Sequence, residues 1–188
     1  MQDILNSASF GTLALCKDNT PYALALNFAY LDDCFYFHGS KKGKKQEFIQ
    51  NGSKGSFSVV LEGSLIPSYF STSSGLACPA THFFSSVVAS GTIEIVSDYK
   101  EKVKALDALM QKLQSEGRYK ELTNQDYKKA IDATNIFKLI VAKITKKEKY
   151  GQKFPKERIK KIVKNLQKRG TKRDIFTINK IKELRDDI

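Results

Sequence analysis

The stretch FYFHGSKKGKKQEFIQN, residues 35–51, decides how the rest of the chain is read. Phe35, Tyr36 and Phe37 are aromatic residues of the kind that fit a pleated, half-buried surface, so the stretch opens as a strand. At Gly39-Ser40 the pattern breaks, and Lys41, Lys42, Lys44 and Lys45 surround Gly43. A helix over 44–51 is expected next, with Phe48 and Ile49 as its apolar contacts. Strand, glycine-bearing cationic loop and helix together suit a phosphate: free N–H groups at a helix start point outward, and the lysines add charge. A solvated lysine-rich turn is the competing reading. The Walker spacing of glycines ending in Lys-Ser/Thr is absent.

Working outward, residues 10–30 read FGTLALCKDNTPYALALNFAY, two apolar runs joined by a polar turn at 17–21. A short acidic turn, Asp32-Asp33, leads back to the opening strand, and another strand is expected at 55–61. Residues 62–82 are rich in serine, with Pro67, Gly75 and Pro79, and read as an excursion between strands. Within it Leu65, Ile66, Tyr69 and Phe70 read as exposed apolar residues, free to cover a ligand or a second subunit, although an ordinary long loop is the plainer reading. Residues 83–95 and 136–145 complete the strands. Between them a helix is expected from an Asp98/Glu101 capping box, with Val103, Leu106, Leu109/Met110 and Leu113 as its apolar stripe. A second helix is expected over 124–133, with Thr123 as its N-cap.

The chain has 188 residues, of which 41% are hydrophobic and 28% charged, the balance of a soluble globular protein. No run reaches the roughly 20 apolar residues needed to cross a bilayer. MQDILNSASF carries no basic and apolar leader pattern, so no secretion signal is expected. Cys16, Cys34 and Cys78 form no CxxC pair, which favours a reducing, cytoplasmic setting. The net charge of +12 is uneven: residues 146–188 hold 16 Lys/Arg against 6 Asp/Glu, leaving only +2 for residues 1–145. Two basic amphipathic helices are expected in the tail, one after Pro155 with Ile159, Ile162/Val163 and Leu166, the other over 175–184.

The order of elements, with the phrases GTLAL, PYALALNFAY, FYFHGSKKGKKQEFIQN and SSVVASGTIE, resembles the FMN-binding split barrels related to pyridoxamine 5'-phosphate oxidase. The nearest branch resembles the nitroimidazole-resistance and flavin-nucleotide-binding proteins. The resemblance implies a mainly β fold with accessory helices, a six-stranded split β-barrel over 1–145, followed by a basic helical C-terminal extension over 146–188 that it does not explain. It also implies FMN as cofactor and a homodimer with flavin at the interface, each site built from both chains.

Carried over residue by residue, the resemblance places Lys44 and Lys45 at the phosphate, with Ser40 and Gly43 lending hydroxyl and N–H groups. Leu26 and Asn27 fall on the strand that edges the ring, and Phe37 and His38 on the next strand, beside ribityl and ring. Ser86 matches a polar residue extended from the partner subunit. Lys44 stands where the family has arginine, which keeps the charge and loses the bidentate fork.

The flavin would carry the redox chemistry, so the reaction is not fixed by the fold. The chain has no tryptophan, whereas pyridoxamine phosphate oxidases hold substrate with a tryptophan-bearing C-terminal segment and an Arg-x-His pair. Pyridoxal phosphate synthesis is therefore not expected, and the resemblance to the nitroimidazole-resistance branch implies a small-molecule reductase instead, nitroimidazole-reductase-like, with NAD(P)H as the candidate electron donor. Two alternatives stand beside it. A haem-binding or haem-degrading split barrel would need His38 or His82 as ligand. A non-catalytic flavin protein would use its basic tail on nucleic acid or an anionic surface, against which acidic residues interrupt the tail and aromatic residues are scarce. Cys78 and His82 are too few for a metal site, and no hydrolytic motif is present.

Overall fold

Two turns of similar chemistry set the first hairpins. Asp18 and Asn19 have φ of 48° and 58°, and Asp32 and Asp33 have φ of 50° and 56°. A left-handed conformation at both central residues belongs to the two-residue turn whose twist matches paired strands, and Asp and Asn tolerate it better than most side chains. The first turn joins β1 (Gly11–Lys17) to β2 (Thr20–Leu26), with Lys17 opposite Thr20. The second joins β3 (Ala29–Leu31) to β4 (Cys34–Gly39), with Leu31 opposite Cys34.

The computed structural model describes residues 1–49 and 52–187. Among these are three longer strands, β5 (Ser53–Ile66), β6 (Thr81–Ile95) and β7 (Asn135–Lys149). The helices are α1 (Gln2–Ser7), α2 (Lys44–Phe48), α3 (Tyr99–Leu113), α4 (Lys128–Ala133), α5 (Lys156–Arg169) and α6 (Lys172–Glu183). The strands form one sheet in the order β2-β1-β5-β6-β7-β4-β3. Contacts divide the chain into two compact units. The first is Met1–Val60 with Val87–Lys146, the second Leu61–Ser86 with Lys147–Ile188, and the division falls inside β5, β6 and β7.

In the first unit, β2 and β3 stand at opposite ends of the strand order, yet only Asn27 and Phe28 separate them in sequence. So short a link spans at most roughly 10 Å. The sheet therefore curls without closing, which is the split barrel. One strand was expected over 21–30. The break at Asn27-Phe28, where Phe28 is fully buried, makes seven strands of the expected six. The Phe28 ring meets Phe35 and Phe57, and Phe37 stacks between Phe57 and Phe137 at 6.0 and 5.6 Å. Such ring pairs contribute about 0.5–1.5 kcal/mol each beyond the area they bury.

Helix α3 packs Ala105 against Tyr36, Val96 and Ile136. Its buried positions are Ala105 and Leu109, while Leu113, expected on the apolar stripe, is half exposed. Asp98 caps it by accepting the Glu101 N–H at 2.8 Å. Glu101 does not return the bond as a capping box requires; its carboxylate accepts from Tyr36 Oη and Lys138 Nζ instead. In the segment before α4, Asn124 rather than Thr123 is the cap, accepting the Asp126 N–H.

The second unit has its own core. Ile66, Phe70, Phe83 and Tyr150 pack with Ile159, Ile162 and Leu166 of α5 and with Ile178 and Ile181 of α6. Burying each such side chain contributes about 1.5–3 kcal/mol. The excursion over 62–82 is thus shorter than expected, because β5 and β6 continue into it. Of its apolar residues Ile66 and Phe70 are buried, while Leu65 and Tyr69 are exposed. Helix α5 begins after Pro155 and ends at Gly170. Helix α6 begins at Lys172 and is capped by Thr171, whose hydroxyl and the Asp174 carboxylate form a reciprocal capping box. That start lies before the Ile175 expected from periodicity alone.

Candidate functional site: the lysine loop

Strand β4 buries Phe35, Tyr36 and Phe37 in succession and brings His38 to the surface at its end. In register, Phe37 pairs with Phe137 and Gly39 with Asn135 of β7, so the strand's end is fixed from one side. The chain then turns through Ser40, Lys41 and Lys42 to Gly43, whose φ of 102° no residue with a side chain adopts readily. Ser40 Oγ accepts the Lys42 N–H at 3.1 Å and tightens the turn. Helix α2 follows with no side-chain cap. The helix was expected to reach Asn51. It ends at Phe48, Ile49 is extended, and Gln50 and Asn51 lie outside the described residues.

The lysines of this loop have different placements. Lys41 reaches away to donate to the Asp132 carbonyl at 2.6 Å. Lys44 lies over the Tyr22 and Phe48 rings, 5.0 and 5.9 Å from their centroids. Lys45 folds back along the strand it follows: its Nζ donates to the His38 carbonyl at 3.2 Å and stands 4.9 Å from the Phe137 centroid. Burial pulls the Lys45 pKa down, and no carboxylate pairs with it among the described residues. The His38 pKa is lowered as well, first by burial and then by the Lys45 charge, so the imidazole is neutral at pH 7.

The structure gathers His38, Ser40, Gly43, Lys44 and Lys45 within one turn and the helix start. Phe37 is entirely buried between two rings, which leaves only its backbone available to a ligand. Leu26 ends β2 opposite Gly11 of β1, and Asn27 donates to the Ser9 carbonyl at 3.0 Å. Ser86 lies on β6 and belongs to the second unit. His82, in that unit too, has Nε2 3.1 Å from the Gly63 carbonyl. The groups that brace the loop leave no local signal in the sequence. Asn135 donates to Gln46 Oε1 at 2.8 Å, and Lys17 donates to the Glu47 carbonyl at 3.1 Å. Asn135 stands 89 residues from Gln46 in sequence, so only the β4–β7 pairing reveals it. A cavity of about 760 Å³ lies elsewhere, along α3 and lined by Tyr99, Val103 and Leu122.

Open split barrel and braced cationic loop define a class, and comparison places the chain in it. The model of the family described as pyridoxamine 5'-phosphate oxidase matches residues 1–148, and the chain belongs to that family. No curated protein matches. Among solved structures, the chain is similar to a candidate 5-nitroimidazole antibiotic resistance protein from Bacteroides thetaiotaomicron. That likeness has a TM-score of 0.61 and 21% identity, over 77% of this chain and 80% of that one. It is similar to the flavocytochrome Anf3 of Azotobacter vinelandii at TM-score 0.62 and 21% identity, over 79% of this chain and 65% of that one. It is also similar to an FAD and haem binding protein of Mycobacterium smegmatis at TM-score 0.61 and 22% identity, over 78% and 68%. No helix among the described residues is long and apolar enough to cross a membrane.

Proposed function

We propose that this chain is a cytoplasmic flavoprotein that binds FMN at the lysine loop, works as a homodimer, and reduces a small molecule of the nitroimidazole type with electrons from NAD(P)H. One observation carries the reading. The Lys45 ammonium is desolvated at the end of β4 with the His38 carbonyl and the Phe137 ring as its partners and no carboxylate among the described residues, beside an imidazole whose protonation burial disfavours and next to Lys44. An ammonium so placed gains most from a dianionic partner, and a phosphate monoester is one.

The residues present fit that group. Lys44 and Lys45 supply charge, Ser40 a hydroxyl, and Gly43 an uncrowded backbone, since nothing lies within 4 Å of where its Cβ would stand. Bound flavin would supply two-electron transfer between a reduced donor and an acceptor. The chain's own part is to hold the phosphate through the lysines, to edge the ring with the Leu26-Asn27 backbone, and to keep His38 neutral beside the ribityl chain. The likeness to flavin-binding proteins supports the cofactor, and the likeness to the Bacteroides protein supports the substrate class. Exposed Val60, Val88 and Ile140, on the neighbouring strands β5, β6 and β7, support the homodimer.

The test is the absorbance spectrum of the purified chain before and after incubation with FMN and desalting. Retained bands at about 370 and 450 nm are expected. A colourless protein after desalting sinks the cofactor reading. A Soret band at about 400 nm after haem addition, without flavin retention, replaces it with a haem protein.

A further inference from the structure

Lys112, in the last turn of α3, is the one amine outside the lysine loop that burial markedly perturbs among the described residues. Its Nζ donates to the Leu5 carbonyl of α1 at 2.7 Å and stands 3.5 Å from the centroid of the fully buried Phe28 ring. No carboxylate pairs with it among the described residues. Two cavities share this side chain as wall. One of about 470 Å³ lies between α1, β3 and α3, lined by Leu5, Ala29, Leu31 and Ala108 with Asn6 and Gln111. The other, of about 170 Å³, is lined by Ser9, Asn27 and Phe28.

Burial brings the Lys112 pKa down to about 8. Roughly one amine in ten is then neutral at pH 7, against about one in several thousand for an ordinary lysine. A neutral lysine amine at a cavity wall is a nucleophile. The larger cavity falls in the size range of small-molecule sites, and among the described residues Lys112 is its only ionisable lining group besides the Tyr30 phenol, which hydrogen-bonds Asp33. The rest of that lining is apolar or carries uncharged amide and hydroxyl groups, a surface that suits an uncharged ligand.

We propose that Lys112 is a carbonyl-capture site, its ε-amine forming a reversible imine with small uncharged aldehydes that enter the 470 Å³ cavity. The nitrogen lone pair adds to the carbonyl carbon, and the oxygen takes up a proton as the nitrogen loses one. Water then leaves as the C=N bond forms. Nothing is oxidised or reduced.

The experiment incubates the full chain at pH 7 with graded butanal and sodium cyanoborohydride, which reduces the imine to a stable butyl amine. Labelling of each lysine is then followed by peptide mass mapping. Lys112 is expected to label roughly tenfold faster than exposed Lys129, since weaker basicity takes back part of the gain in neutral amine. Its rate is expected to saturate with butanal while that of Lys129 stays linear. Lys112→Arg is expected to abolish the saturable component and leave the labelling of Lys129 unchanged. A Lys112 rate no greater than that of Lys129 overturns the proposal, and so does one that rises linearly, because binding in the cavity is then absent. The comparison within the unsubstituted chain decides even where the variant does not fold.

Discussion

The ammonium of Lys45 occupies the space that a side chain on Gly39 would need. A Cβ built at Gly39 comes 1.8 Å from Lys45 Nζ and 2.8 Å from its Cε. The obstacle is the free end of a flexible side chain, so Gly39→Ala is expected to leave the melting temperature nearly unchanged while pushing the ammonium off the end of β4. FMN retention, read by fluorescence titration, is expected to fall about tenfold in Gly39→Ala, the loss of one charge-assisted bond. It is expected to fall at least as far in Lys45→Ala, and by less than twofold in Lys41→Ala, whose amine is engaged with the Asp132 carbonyl. Equal retention in the Lys41 and Lys45 variants removes the phosphate from this loop.

His38 tests the same electrostatics without a cofactor. Its folded-state pKa lies below the ordinary 6.5, because burial and the Lys45 charge both oppose protonation. The unfolded chain therefore binds the proton more readily, so the stability contribution is fully present above pH 6.5 and declines as pH falls below it. Imidazole proton shifts followed by NMR are expected to titrate below 6.5 in the free chain. The midpoint is expected to move upward in Lys45→Ala and also on adding FMN, whose phosphate offsets the lysine charge. A midpoint that Lys45→Ala leaves in place shows that the two side chains do not interact.

Much of the barrel could be read from local chemistry. Asp18-Asn19 and Asp32-Asp33 announced their hairpins because those residues tolerate the left-handed conformation, and the strand, lysine loop and short helix followed in the expected order. What escaped was long-range. That residues 21–30 divide at Phe28 depends on a ring reaching a core that residues 35, 57 and 137 build. The serine-rich excursion and the basic tail looked unrelated, yet Ile66 and Phe70 are covered by α5 and α6. No periodicity within either segment records the other. The lysine loop of the candidate site was legible because lysine and glycine cluster in sequence. Its braces, Asn135 and Lys17, were not.

Arg169 and Asp174 join α5 to α6. The guanidinium donates from Nε at 2.9 Å and from Nη2 at 2.6 Å to the fully buried carboxylate, which also accepts from Ser64 Oγ at 2.6 Å. These partners, the Arg169 guanidinium foremost, hold the Asp174 carboxyl well below the usual carboxylate range. A depressed carboxyl gives stability that is present above the unfolded value of 3.8 and lost as pH falls below it. Asp174→Asn is expected to destabilise by about 3 kcal/mol at pH 7, the scale of breaking a buried pair. The gap from the parent chain is expected to narrow as the pH of urea unfolding is lowered from 5 toward 2 (roughly the span over which the carboxyl is protonated in the unfolded chain). A constant gap across that range assigns the loss to packing alone.

Val88 is 42% exposed on β6, with Val60 at 50% on the neighbouring β5 and Ile140 at 38% on β7. Single apolar residues at a surface need no explanation, but three on adjacent strands are the place to test for the proposed second copy. In a homodimer built on this face, Val88→Asp buries a carboxylate in each chain without a partner, at a cost of several kcal/mol. The isolated chain is expected to tolerate it, since an exposed substitution shifts stability by only about 0.5 kcal/mol. Light scattering on a sizing column is expected to give twice the chain mass for the parent and once the chain mass for the variant. Flavin retention is expected to fall in parallel if the partner's Ser86 completes each site. A variant that stays dimeric moves the interface off this face. A parent that is monomeric at micromolar concentration ends the homodimer proposal, and Ser86 must then be assigned another role.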